Sequence, residues 1–151
     1  MSRIEQLYQE MILEHNRNPR NFKVLEPCTH SSHGINPLCG DDYHLYLTIN
    51  EGQITDLGFM GKGCAISKSS GSLMTAVLKG KSIEEAQKLK ITFLNMLTDS
   101  TTDGGAELSA KLKVFEGVKK FPIRVKCATL IWHALEDALN QAGTGKVSTE
   151  S

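Results

Sequence analysis

The run Pro37-Leu38-Cys39-Gly40-Asp41-Asp42-Tyr43-His44-Leu45-Tyr46-Leu47-Thr48-Ile49 decides how this chain is read. Its first half places a cysteine and a carboxylate two residues apart in a glycine turn, so a soft thiolate and a hard oxygen face one point. Its second half alternates Tyr43, Leu45, Leu47 and Ile49 with His44, Tyr46 and Thr48, the period of a half-buried strand. Asn50-Glu51-Gly52 reads as a hairpin turn, and Ile54 to Met60 returns as the next strand. Upstream, Thr29 to Ile35 reads as a polar strand at a sheet edge. The expectation is a small three-stranded antiparallel sheet with the Cys39 loop at one end.

Helices surround this sheet in the sequence. Ser2 and Glu5 have capping-box spacing, and Ile4, Leu7, Tyr8, Met11 and Ile12 follow at helical intervals to about His15, before Pro19. After Gly61 and Gly63 break the strand, Ile66, Leu73, Met74, Val77 and Leu78 predict a helix that stops at Gly80. Ser67, Ser69, Ser70 and Ser72 on that helix read as small residues permitting close packing. Ser82 and Glu85 predict a second capping box, opening a helix with Ile83, Ala86 and Leu89, and Ile91 to Leu97 reads as a further short helix. Asp99 to Ala106 reads as an exposed loop. Leu108, Leu112 and Phe115 resume helical spacing to Gly117. Pro122 suits a first helical position, and Ile123, Cys127, Leu130, Ile131, Ala134, Leu135 and Ala138 form a long apolar face. The fold class is α+β, with about five to six helices on one side of the sheet. Residues 1–142 make one domain, and the polar residues 143–151 are expected to fray.

Composition narrows the function classes. Apolar residues make up 40% and charged residues 23% of the 151, which suits an ordinary globular domain. Seventeen basic residues balance seventeen acidic ones, so no basic excess marks a nucleic-acid footprint. No apolar run approaches the ~20 residues of a membrane span. The start, Met1-Ser2-Arg3-Ile4-Glu5, lacks a signal-peptide core, so the expected location is cytoplasmic. In that reducing compartment the four cysteines read as ligands or nucleophiles before disulfides.

Three of those cysteines stand where chemistry is feasible. Cys39 is in its turn, Cys64 sits where a strand hands over to a helix, and Cys127 lies in the first turn or so of the last helix. Helix N-termini favour thiolates. Cys39, Asp41, Cys64 and Cys127 together would fill a zinc tetrahedron, one Zn2+ per chain, with at least one thiolate doing sulfur chemistry. Three thiolates and a carboxylate against a divalent cation leave about −2, which Lys62, Arg124 and Lys126 are placed to offset. Asp41 is the hard member of a soft set, and so the exchangeable one. His30, His33 and His44 are substitute ligands by type, but their alternation with apolar residues points them at solvent. His133 falls off the apolar face of its helix and reads as structural or surface.

The quoted motifs carry a resemblance. Asn18-Pro19-Arg20-Asn21, Asn36-Pro37-Leu38-Cys39-Gly40-Asp41, Gly61-Lys62-Gly63-Cys64-Ala65-Ile66-Ser67 and Arg124-Val125-Lys126-Cys127-Ala128-Thr129-Leu130 resemble the IscU/NifU-N-terminal/SufU family of iron–sulfur assembly proteins. The likeness covers nearly the whole chain and implies a SufE/NifU-like fold. Scaffold-type members carry a histidine immediately before the third cysteine, where this chain has Lys126. Asp99 to Ala106 with its flanks, and Phe121-Pro122-Ile123-Arg124, look like the SufU-type branch. That branch implies a zinc-dependent sulfurtransferase. It would accept persulfide sulfur on Cys39 from a SufS-type cysteine desulfurase and pass it to downstream iron–sulfur assembly proteins. Asp41, Cys64 and Cys127 would hold zinc, a desulfurase histidine would replace Cys39 on the metal, and Arg124 would help hold the freed Cys39. Cys28 matches no ligand position; it reads as a buried or incidental thiol, with sulfur relay as the other option.

Two other readings compete. The same thiols would hold a [2Fe–2S] cluster in a scaffold that assembles and transfers it. A purely structural zinc module is disfavoured by Asp41, because such sites close with Cys or His.

Overall fold

The computed structural model describes residues 2–98, 111–140 and 143–148. Helix α1, Arg3–Arg17, opens with the capping box expected of Ser2 and Glu5: the Ser2 hydroxyl accepts from the Glu5 N–H at 3.1 Å. Strands β1 (His30–Asn36), β2 (Asp41–Asn50) and β3 (Gln53–Lys62) form the antiparallel sheet. Helix α2 (Ala65–Leu78), helix α3 (Ile83–Thr98), a 3-10 segment (Leu112–Lys120) and helix α4 (Pro122–Asn140) follow.

The period-two pattern sorts the sheet into two faces. Tyr43, Leu45 and Leu47 of β2 and Ile54, Leu57 and Phe59 of β3 are buried beneath the helices. Helix α4 lies against β1 and β2, and α2 packs on β3 and on α4. The centre of the helical layer is aromatic. Phe93 of α3 stacks on Trp132 of α4 with ring centroids 4.5 Å apart and meets Phe115 edge-on at 5.9 Å. Burying side chains of this size contributes roughly 1.5–3 kcal/mol each. The Trp132 indole N–H donates to the Ser70 hydroxyl at 3.1 Å, and Ser70 donates to the Ala128 carbonyl at 2.6 Å. A buried polar edge thereby finds its partner.

The structure departs from expectation in four places. A fourth strand, β4 (Gly143–Ser148), pairs parallel to the outer edge of β1, giving the order β3-β2-β1-β4. The tail expected to fray supplies it, because a sheet edge offers backbone donors and acceptors whatever the side chains of its partner. Residues 83–98 form one continuous helix, not two. Leu112 and Phe115 lie on a 3-10 segment that runs through Gly117 to Lys120. Cys127 stands in the second turn of α4, which begins at Pro122. The expected Asp99 to Ala106 loop, Leu108 and residues 149–151 lie outside the described residues. Among the described residues no helix is long and apolar enough to cross a membrane.

Candidate metal centre

Three segments converge at one end of the sheet. The turn after β1 is closed by the Cys39 N–H, which donates to the Asn36 carbonyl at 3.2 Å. Gly40 follows with φ +74°, a left-handed conformation that favours glycine, and brings the chain round into β2. Asp41, the first residue of β2, is wholly buried. Its Oδ1 accepts from the Cys64 N–H and from the Ser67 hydroxyl, each at 3.0 Å. Its Oδ2 is buried with no hydrogen-bond partner.

Cys64 is the N-cap of α2, and its sulfur accepts from the Ser67 N–H at 3.4 Å. Here the sequence reading of a thiol at a helix N-terminus holds. Cys127 differs: it is 2% exposed, donates to the Cys39 sulfur at 3.1 Å and accepts from the Asn36 amide at 3.7 Å. The ligand atoms of Cys39, Asp41 and Cys127 all lie within 4.8 Å of one another. Cys64 lines the same groove but falls outside this trio. The neighbouring Cys127, helped by the Ser67 N–H, draws the Cys64 thiol down to about 6. Cys127 moves the other way, raised by the neighbouring Cys64 and by burial. Burial pushes the neighbouring Tyr43 phenol up to about 12, so it stays a neutral donor or acceptor beside Ser67.

The donor set fits a borderline metal ion. A buried carboxylate oxygen without a donor is costly, and a cation among thiolates would satisfy it. Gly63 closes one wall: a Cβ there would sit 2.5 Å from Asp41 Oδ1 and from Ser67 Oγ. Only a residue without a side chain lets the strand end pass so near the carboxylate.

Cys39 is half-exposed, and with Cys64, Cys127 and Arg124 it lines an open groove of about 1030 Å³. The Arg124 guanidinium lies over the Phe121 ring, 4.8 Å from its centroid, on the groove wall. Cys28 is a half-exposed free thiol that joins no ligand group among the described residues. Sequence reasoning gave no site role to Asn36, Ser67 or Tyr43. Asn36 and Ser67 fall within the quoted motifs, and Tyr43 two residues past Asp41, but their inward alternation was the only further signal.

Known proteins are consistent with this site. Residues 7–139 match the family described as NifU-like N terminal domain. The chain is 39% identical to the zinc-dependent sulfurtransferase SufU of Bacillus subtilis over 133 residues, covering 88% of this chain and 89% of that one. It is 34% identical to the iron–sulfur cluster assembly scaffold protein IscU of Streptococcus pyogenes, over 99% of this chain and 93% of the other. A crystal structure from Fervidobacterium islandicum, described as an iron–sulfur cluster assembly scaffold protein for the SUF system, superposes with a TM-score of 0.78. It is 32% identical and covers 89% of this chain and 98% of its own.

Proposed function

Because the chain belongs to the family of NifU-like N-terminal domains, we propose that it takes persulfide sulfur from a SufS-type cysteine desulfurase onto Cys39 and hands it on for iron–sulfur cluster assembly. Zinc would be held by Cys39, Asp41, Cys64 and Cys127. The observation that carries this reading is the meeting of Cys39, Asp41 and Cys127 within 4.8 Å, around a buried carboxylate oxygen that lacks a donor. The likeness to the zinc-dependent sulfurtransferase SufU of Bacillus subtilis supports it. Lys126 supports it further, standing where scaffold-type members of the resembled family carry histidine.

When bound, zinc would hold the sulfurs as thiolates and neutralise part of their charge. The chain's own residues divide the remaining work. Asn36 and the Gly40 turn present Cys39 at the groove, where a donor can reach it. The Cys39 thiolate attacks the terminal sulfur of the donor persulfide. The new S–S bond forms on Cys39 as the donor's S–S bond breaks, and the donor cysteine leaves as thiolate. Ser67 and the Cys64 N–H keep Asp41 oriented throughout. Arg124, on the groove wall, supplies positive charge near the extra sulfur.

Elemental analysis of the purified protein, paired with a desulfurase assay before and after metal removal, tests the reading. About one zinc per chain, with stimulation that depends on it, is the expected result. A second reading, a [2Fe–2S] scaffold, is favoured by the name of the Streptococcus pyogenes relative. Ready loading with iron and sulfide, then cluster donation without help to the desulfurase, would establish it instead.

A further inference from the structure

The outward face of the sheet carries a second group of ligating side chains, apart from the cysteines. His33 of β1 stands directly opposite His44 of β2 in the strand register. Their imidazoles stack with centroids 4.1 Å apart and planes 7° from parallel. Asp42 precedes His44 by two residues, on the same face, and its Oδ1 lies 2.6 Å from His33 Nε2. One ligand atom from each of the three lies within 4.8 Å of the other two.

We propose that His33, Asp42 and His44 form a second metal site, for a borderline divalent transition-metal ion such as zinc. Opposite residues on paired strands hold their Cβ atoms about 4.5–5.5 Å apart, so both imidazoles can reach one ion by side-chain rotation alone. Zinc takes imidazole nitrogen at ~2.0–2.1 Å and carboxylate oxygen at ~2.0–2.2 Å, and Asp42 stands on the strand position that supplies the third donor. The 2.6 Å contact between Asp42 Oδ1 and His33 Nε2 already holds two of the three donors together, and an ion entering between them would replace that hydrogen bond. Partial burial, and then the neighbouring His33, hold the His44 ring below the usual imidazole range, so near neutrality it carries the lone pair that a metal needs. His44 is exposed and the other two are half-exposed, so the remaining coordination positions open to solvent. Two imidazoles and one carboxylate bind more weakly than three thiolates and a carboxylate, which makes this the exchangeable site. The sheet separates the two: Asp41 points inward to the cysteines and Asp42 outward to the histidines. Loading of the outer site is therefore independent of sulfur transfer on Cys39.

Calorimetric titration of zinc into the purified protein, with the side-chain nitrogen resonances of its histidines followed by NMR, tests this. The expected result is a weaker equivalent beyond any tightly held metal, with the imidazole nitrogens of His33 and His44 shifting as it binds. In His44→Ala the affinity for that equivalent should fall at least about tenfold, while tightly held metal is unchanged. His33→Gln, which keeps a polar partner for Asp42, should do the same. Unmoved His33 and His44 resonances, or unchanged affinity in both variants, would overturn the site. The imidazole signals report this site even if the cysteines hold no zinc, so the two readings fail separately.

Discussion

The Asp41 carboxylate accepts the backbone N–H of Cys64 at 3.0 Å, joining the first residue of β2 to the N-cap of α2. This one bond fixes the spacing between two of the segments that carry sulfur, and it leaves the second Asp41 oxygen buried without a donor.

Asp41→Ala removes that acceptor. The Cys64 N–H and the Ser67 hydroxyl lose a charged partner, at a cost of about 1–3 kcal/mol. The three cysteines remain, so we expect zinc to be retained and sulfur transfer to be impaired. Metal content per chain and desulfurase stimulation, measured on one preparation, check this.

Gly63→Ala places a methyl group against Asp41 and Ser67. The rest of the sheet does not depend on that contact and the three cysteines remain, so the far-ultraviolet spectrum and the metal content should match wild type while desulfurase stimulation falls. Unchanged stimulation would show that the wall at Gly63 can yield.

Metal-free protein should show an order of thiol reactivity. The Cys64 thiol, drawn down to about 6, is thiolate at neutral pH, whereas Cys127 is raised and buried. Thiolate is the nucleophile, so iodoacetamide at pH 7 should label Cys64 well before Cys127. Peptide mapping over time reads the order directly.

Ser70→Ala tests the core. It strips the Trp132 N–H of its acceptor and removes the donor to the Ala128 carbonyl. An unsatisfied buried donor costs about 1–3 kcal/mol, which should lower the urea midpoint without changing the slope.

Local pattern made much of this legible. The alternation from Tyr43 to Ile49 set which side chains face the helices, and it separates Asp41 from Asp42. Capping boxes at Ser2 and Ser82 marked two helix starts, because that signal lies within four residues. The serines of α2 were less legible. Ser67, Ser70 and Ser72 read as small packing residues, yet their hydroxyls bond Asp41, Ala128 and His15 on other segments. Such partners have no local spacing. The same limit hid β4, whose pairing uses backbone groups alone, and placed Cys127 nearer its helix start than it lies. His33 and His44 read as solvent-facing, and they do lie on the outer face. Their pairing needed the strand register, which no single strand reveals.

The most direct test of the central claim is mass-spectrometric mapping of persulfide after incubation with a cysteine desulfurase and cysteine. One added sulfur on the Cys39 peptide, absent in Cys39→Ser together with the stimulation of the desulfurase, is the predicted result. Full stimulation by Cys39→Ser, with sulfur on another cysteine or on none, would contradict it.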